Sequence, residues 1–130
     1  IFLDTNVLVS SFTTRGICSD IFREILTREE LVVCQPLLQE LEKVLSSKFH
    51  IPKNIINNII HFLQTDTIIL ETGIIPNVKL NDQSDLIILS CALNGGSKYL
   101  VTGDKELQKL KKVDNLIILS PRAYWEIIKK

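Results

Sequence analysis

Two apolar runs of this 130-residue sequence end in the same way, IFLDTN on Asp4, Thr5 and Asn6, and KYLVTGD on Thr102, Gly103 and Asp104. A buried strand that stops on acids and hydroxyls delivers them to the sheet edge where open α/β folds keep their ligand sites. Two further acids stand in helical patterns. Glu40 lies in QPLLQELEKVL, one turn after Leu37 and one before Val44, and so borders that helix's apolar stripe. Asp85 opens the helical pattern of NDQSDLIILSCALNGG. Each acid has an ordinary structural reading. Asp4 and Asp104 are good N-caps, Asp85 suits the free amides and positive end of a first helical turn, and Glu40 suits a helix flank. Asp82 and Ser84 can also cap the same helix as Asp85, which leaves more capping candidates than one helix needs.

Grouped at one edge, these acids imply more than capping. Two carboxylates about 4 Å apart repel by roughly 4 kcal/mol at an effective dielectric near 20, so clustering requires a cation or a shared proton. A hard divalent cation such as Mg²⁺ takes oxygen ligands, keeps several waters and bridges carboxylates to phosphate groups. It also lowers the pKa of bound water and steadies the charge that builds on a phosphodiester under in-line attack. The sequence shows no Ser-His or Cys-His nucleophile pair and no GxxxxGK[ST] loop. Metal-assisted hydrolysis is the chemistry these residues can support.

The elements that must position them alternate. Five short apolar runs, IFL (1–3), LVVC (31–34), TIIL (67–70), KYLVT (98–102) and LIIL (116–119), are too short for helices and rich in β-branched residues. Segments of helical spacing separate them, which predicts a parallel sheet with helices on both faces. The connection from Pro36 to Gln64 holds two helices, broken at Ile51-Pro52. Further helices are expected over Asp85–Asn94, ended by Gly95-Gly96, over Lys105–Lys111, and over Ala123–Lys130.

Composition sets the frame. The length suits one domain spanning 1–130, and 45% hydrophobic against 23% charged residues excludes general disorder. No apolar stretch approaches a membrane span and no secretory signal pattern is present, so a cytoplasmic protein is expected. Starting on Ile1 without Met, inside an apolar strand, the sequence is expected to lack a short native beginning. Cys18, Cys34 and Cys91 are too scattered for a disulfide framework or zinc knuckle and read as small buried hydrophobes. His50 and His61 read as surface or half-buried residues. Fifteen basic and fifteen acidic residues cancel, which removes the global positive field of a typical DNA binder. Any nucleic-acid contact must be local, with Arg15, Arg23, Lys43, Lys48 and Lys105 as candidates.

In the order LDTN, Glu40, DLIILSCALNGG and VTGD, the chain resembles the PIN domain family along essentially its whole length. The ALxGGxxYLVTGD and SPR patterns are similar to those of prokaryotic PIN proteins assigned as toxins of toxin–antitoxin pairs. The resemblance implies a three-layer α/β/α, flavodoxin-like fold with a five-stranded parallel sheet of order 3-2-1-4-5. It also implies an Mg²⁺- or Mn²⁺-dependent endoribonuclease that hydrolyses phosphodiester bonds of single-stranded RNA. Asp4, Glu40, Asp85 and Asp104 would hold one or two metals, with Asp82 as an added ligand or supporting acid. Thr5 and Thr102 would orient carboxylates or water, and Asn6 would support the first turn. A small antitoxin protein and a second copy of the chain are the implied partners.

Two rivals remain at this stage. FLDTNVL and TGDKE also resemble motifs of haloacid dehalogenase-type phosphatases, where Asp4 would be the nucleophile. That mechanism wants a second Asp two positions on, and the residue there is Asn6. The other rival is a non-catalytic PIN-like module that binds RNA or protein.

Overall fold

Phe2 and Leu3 are fully buried, as a strand at the centre of a covered sheet requires. Burying a side chain of this kind stabilises the fold by roughly 1.5–3 kcal/mol. The computed structural model describes residues 1–28, 31–70, 78–80 and 82–129. All five runs expected as strands form them: β1 (Phe2–Leu3), β2 (Val32–Cys34), β3 (Ile68–Leu70), β4 (Tyr99–Val101) and, last in the chain, β6 (Leu116–Leu119).

The sheet order is β3-β2-β1-β4-β6-β5. Parallel pairing runs from β3 to β6, with Phe2 opposite both Val32 and Leu100, and Val101 opposite Leu119. The expected five-stranded order is therefore present, with one correction. A sixth strand, β5 (Lys112–Val113), lies antiparallel on β6 at the sheet edge. Lys111 has φ +60 and ends the preceding helix one residue earlier than the sequence suggests; Asp114, at φ +51, then turns the chain back. Asp tolerates this left-handed region better than most residues, because its short side chain can bond locally. A two-residue strand carrying Lys112 has no apolar periodicity to announce it.

Helices fill the connections: α1 (Thr5–Thr13), α2 (Ile17–Arg28), α3 (Gln35–Ser47), α4 (Lys53–Asp66), α5 (Gln83–Asn94), α6 (Lys105–Leu110) and α7 (Pro121–Ile128). Val32, Val33 and Cys34 are all buried, so side chains on both faces of β2 are covered. This is the three-layer arrangement that uninterrupted apolar strands dictate. α1 packs on α2 and α3, and α3 packs on α4. Leu37, Leu41 and Leu45 give α3 a fully buried stripe.

Two helices start earlier than expected because their caps lie further upstream. Asp82 caps α5 by accepting from Ser84 N at 2.9 Å, and Ser120 caps α7 by accepting from Ala123 N at 3.0 Å. The expected last residue of α7, Lys130, lies outside the described residues. The glycines after α5 divide two tasks. Gly96 takes the left-handed φ of +65, while Gly95 stays right-handed and makes room for Leu70, whose Cδ1 would stand 2.0 Å from an added Cβ. Cys34 and Cys91 are buried and Cys18 is half-buried, none of them in a disulfide. His50 and His61 are exposed. Among the described residues, no helix is long and apolar enough to cross a membrane.

Candidate active site

The chain passes from β1 to β2 and β3 on one side, then crosses back to β4 on the other. The carboxyl ends of β1 and β4 thus form the switch point at which such sheets bind ligands. Asp4 leaves β1 there, with its N–H donating to Val101 O at 2.9 Å. The same edge receives Thr102, Gly103 and Asp104 from β4.

These two chain ends are tied by side chains. Thr102, fully buried, donates its hydroxyl to Asp4 Oδ2 at 2.7 Å and accepts from Asp104 N at 3.0 Å. Asn6 Nδ2 donates to Asp4 Oδ2 at 3.2 Å, and Asn6 Oδ1 accepts from Gly103 N at 2.9 Å. Asn6 therefore does more than support the first turn; it bridges LDTN to VTGD. A Cβ on Gly103 would come within 3.3 Å of Asn6 Oδ1, a tight contact that the amide would have to yield to by a few tenths of an ångström.

Capping and pocket lining coexist in the same residues. Asp4 Oδ1 accepts from Thr5 N at 2.8 Å, and Asp104 Oδ1 accepts from Glu106 N at 2.8 Å. A carboxylate has roughly four acceptor positions, so each acid keeps capacity facing the cavity. Asp85 is relieved of capping by Asp82. Glu40 projects from α3, where its flank position beside the apolar stripe leaves it half-buried.

One cavity of about 390 Å³ is lined by Asp4, Thr5, Asn6, Glu40, Asp82, Asp85 and Asp104, together with Val9, Ser10, Val44, Lys48 and Phe49. Every acid singled out from the sequence reaches it. Thr102 lies behind it as a positioning group. Ser10 and Phe49 were not singled out, and Phe49 had one sequence signal, an aromatic beside Lys48 at a helix end. Of the basic candidates, Lys48 lines the cavity, while Arg23 is ion-paired with Asp20 on the surface.

The electrostatics are those of acids short of positive charge. Burial pushes the Asp4 carboxyl up, against hydrogen bonds from Thr102 and Thr5, and Asp104 adds to the rise. Burial likewise raises Glu40, followed by repulsion from Asp4. Asp85 is pushed up to about 7 by burial, then by Asp104, Asp4 and Asp82, and it shares a hydrogen bond with the Asp104 carboxyl. Exposed Asp82 moves the other way, held low by its bonds from Ser84.

Thr5 Oγ1 is buried and has no partner at hydrogen-bond geometry. It stands near enough to Glu40 to favour that carboxylate without completing a hydrogen bond. Among the described residues, no three His, Cys, Asp or Glu groups are spaced to close a metal shell by themselves. An all-oxygen donor set, mutual repulsion and an orphaned hydroxyl nevertheless fit a hydrated Mg²⁺-type ion, which uses one or two carboxylates and fills its remaining positions with water and substrate phosphate.

A mostly parallel α/β sheet carrying an acidic cavity at its switch point defines a class in which many chemistries are housed. The PIN domain profile matches residues 1–106, and the chain belongs to that family. PIN domains are generally nucleases, that is, hydrolases. The fold is similar to a chain in the crystal structure of VapBC2 from Rickettsia felis bound to a DNA fragment from its promoter. The TM-score is 0.65 at 16% identity, covering 92% of this chain and 96% of that one. No curated protein matches.

Proposed function

We propose that this chain is a single PIN nuclease domain spanning 1–130 that cleaves single-stranded RNA with Mg²⁺ or Mn²⁺, as the toxin of a toxin–antitoxin pair in the cytoplasm. The observation that carries the reading is the convergence of Asp4, Glu40, Asp85 and Asp104, from four separate chain segments, on one cavity with a single lining cation among the described residues. Acids kept together at this electrostatic cost belong with a divalent ion.

One or two of Asp4, Glu40, Asp85 and Asp104 would ligate an ion directly and the others would hold its waters, with Asp82 at the rim. A bound divalent cation supplies a more acidic water and stabilises the charge of a phosphodiester under attack. The chain's own residues prepare that event. Thr102 and Asn6 fix Asp4 Oδ2, so its orientation costs no reorganisation during reaction. Asp85, its pKa pushed up to about 7, keeps a proton up to near neutrality in the metal-free protein. Thr5, buried beside Glu40, favours the charged form of that carboxylate. In the hydrolysis, the water oxygen bonds to phosphorus and the bond to the leaving oxygen breaks, giving a 5′-phosphate and a 3′-hydroxyl.

The RNA substrate and a small antitoxin partner rest on the resemblance to PIN toxins. Exposed Leu26 and Ile55 are apolar positions on helices through which two copies could pair. The phosphatase alternative loses ground at Asn6, whose amide is committed to Asp4, Thr102 and Gly103 rather than available as a proton donor for a leaving group.

The test incubates purified protein with mixed single-stranded RNA and Mg²⁺, Mn²⁺ or chelator, beside Asp4→Asn and Asp104→Asn. Metal-dependent cutting that disappears in both variants supports the reading. Equal cutting by wild type and variants, or none with either metal, overturns it.

A further inference from the structure

The acidic cavity has an unlike end. At the close of α3, Lys48 and Phe49 line it opposite in character to the carboxylates, with Val44 beside them. Phe49 is 44% exposed, a large aromatic surface left to solvent. Among the described residues Lys48 makes no ion pair, although five acids line the same cavity. The turn that presents them is fixed. Lys48 N donates to Val44 O at 3.0 Å, Ile51 N reaches back to Leu45 O at 3.1 Å, and His50 between them sits at φ +50.

An exposed aromatic and a free ammonium at the mouth of a phosphate-handling site match the two halves of a nucleotide. Single strands are held by bases stacked on aromatic faces and by cations along the backbone. The cavity volume of about 390 Å³ lies within the range of small-ligand sites. We propose that Phe49 and Lys48 form a nucleotide subsite, the ring stacking on one unstacked base and the ammonium contacting the phosphate next to the one delivered to the acids. The proposal rests on the nuclease reading and adds to it where the strand lies and why it must be single. A base inside a duplex has both faces covered by its stacked neighbours and cannot take the ring.

The test measures KM and kcat on a short single-stranded RNA for wild type, Phe49→Ala, Phe49→Trp and Lys48→Gln, with the same RNA in a duplex as competitor. Loss of one base–aromatic stack corresponds to roughly 5- to 150-fold in binding. Phe49→Ala is expected to raise KM by that factor with kcat within about twofold, and Phe49→Trp to restore it. Lys48→Gln should reduce the salt dependence of binding by about 0.7 in log–log slope, the value for one phosphate contact on a single strand. Thermal melting checks the fold, which an exposed substitution should leave unchanged. If wild type cuts and Phe49→Ala keeps its KM, the subsite is overturned alone. If Phe49→Ala weakens only the capture of a protein partner, the surface is a protein contact and the subsite also fails. If wild type cuts no RNA, the nuclease reading falls and takes the subsite with it.

Discussion

Thr102 Oγ1 and Asp4 Oδ2 meet at 2.7 Å across 98 positions of sequence, and both residues are buried. The hydroxyl also accepts from Asp104 N, so one atom fixes the two acids that end β1 and β4. A hydrogen bond to a charged group contributes about 1.5–3 kcal/mol. Thr102→Val keeps the shape and removes the bond. It is expected to lower stability by about that amount in urea unfolding and to reduce cleavage, while Thr102→Ser retains most of both. Equal stability of the Val variant would show that the contact does not hold the site.

The acids make stability depend on pH in an unusual direction. Asp85 titrates at about 7 folded against an ordinary value of 3.8, and Asp4 and Glu40 are also raised. Across that window the native state binds more protons than the unfolded one, so stability falls as pH rises. Lowered Asp82 acts only below 3.8 and does not offset this. Metal-free protein should melt at a higher temperature at pH 5 than at pH 8, judged against Asp85→Asn, in which the difference shrinks. A divalent cation should raise the melting temperature more at pH 8 than at pH 5, because it binds the ionised acids.

Asp82 and Asp85 stand three positions apart and should separate cleanly on substitution. Asp82→Ala removes the α5 cap and is expected to cost about 1 kcal/mol, with Asp82→Ser recovering it. Asp85→Asn removes a repelled carboxylate. It should leave the metal-free protein at least as stable at pH 8 while lowering cleavage by about 100-fold or more, exceeding the loss typical of supporting groups around a metal. Reversed outcomes would mean that Asp85 is the structural acid.

Asn6→Asp tests the amide bridge. The new carboxylate cannot donate to Asp4 Oδ2, and it adds charge to the cluster. Reduced stability above pH 7 is expected, recovered in part by Mg²⁺, with no turnover of a small phosphomonoester. Appearance of that turnover would revive the phosphatase alternative.

The strands were legible in the sequence because apolar runs of three to five residues between helical segments leave little else to form. The acids were legible as a set for a related reason, since each follows or opens such an element. Other features depend on contacts that no local pattern encodes. β5 is too short and too charged to show periodicity. The choice of Asp82 over Asp85 as the cap of α5 depends on where the chain enters the helix. Asn6 meets Gly103 across 97 positions, and neither residue type alone suggests the other. Phe49 resembles any apolar residue at a helix end until its exposure and its neighbours in the cavity are seen.

Asp4 and Asp104 each hold a helix start with one oxygen and also line the cavity. A lineage in which cleavage ceased to matter would still be selected for an acceptor at both places. Decay there should run to Asn or Ser before Ala, so inactive descendants would keep the outline of the centre long after losing its charge.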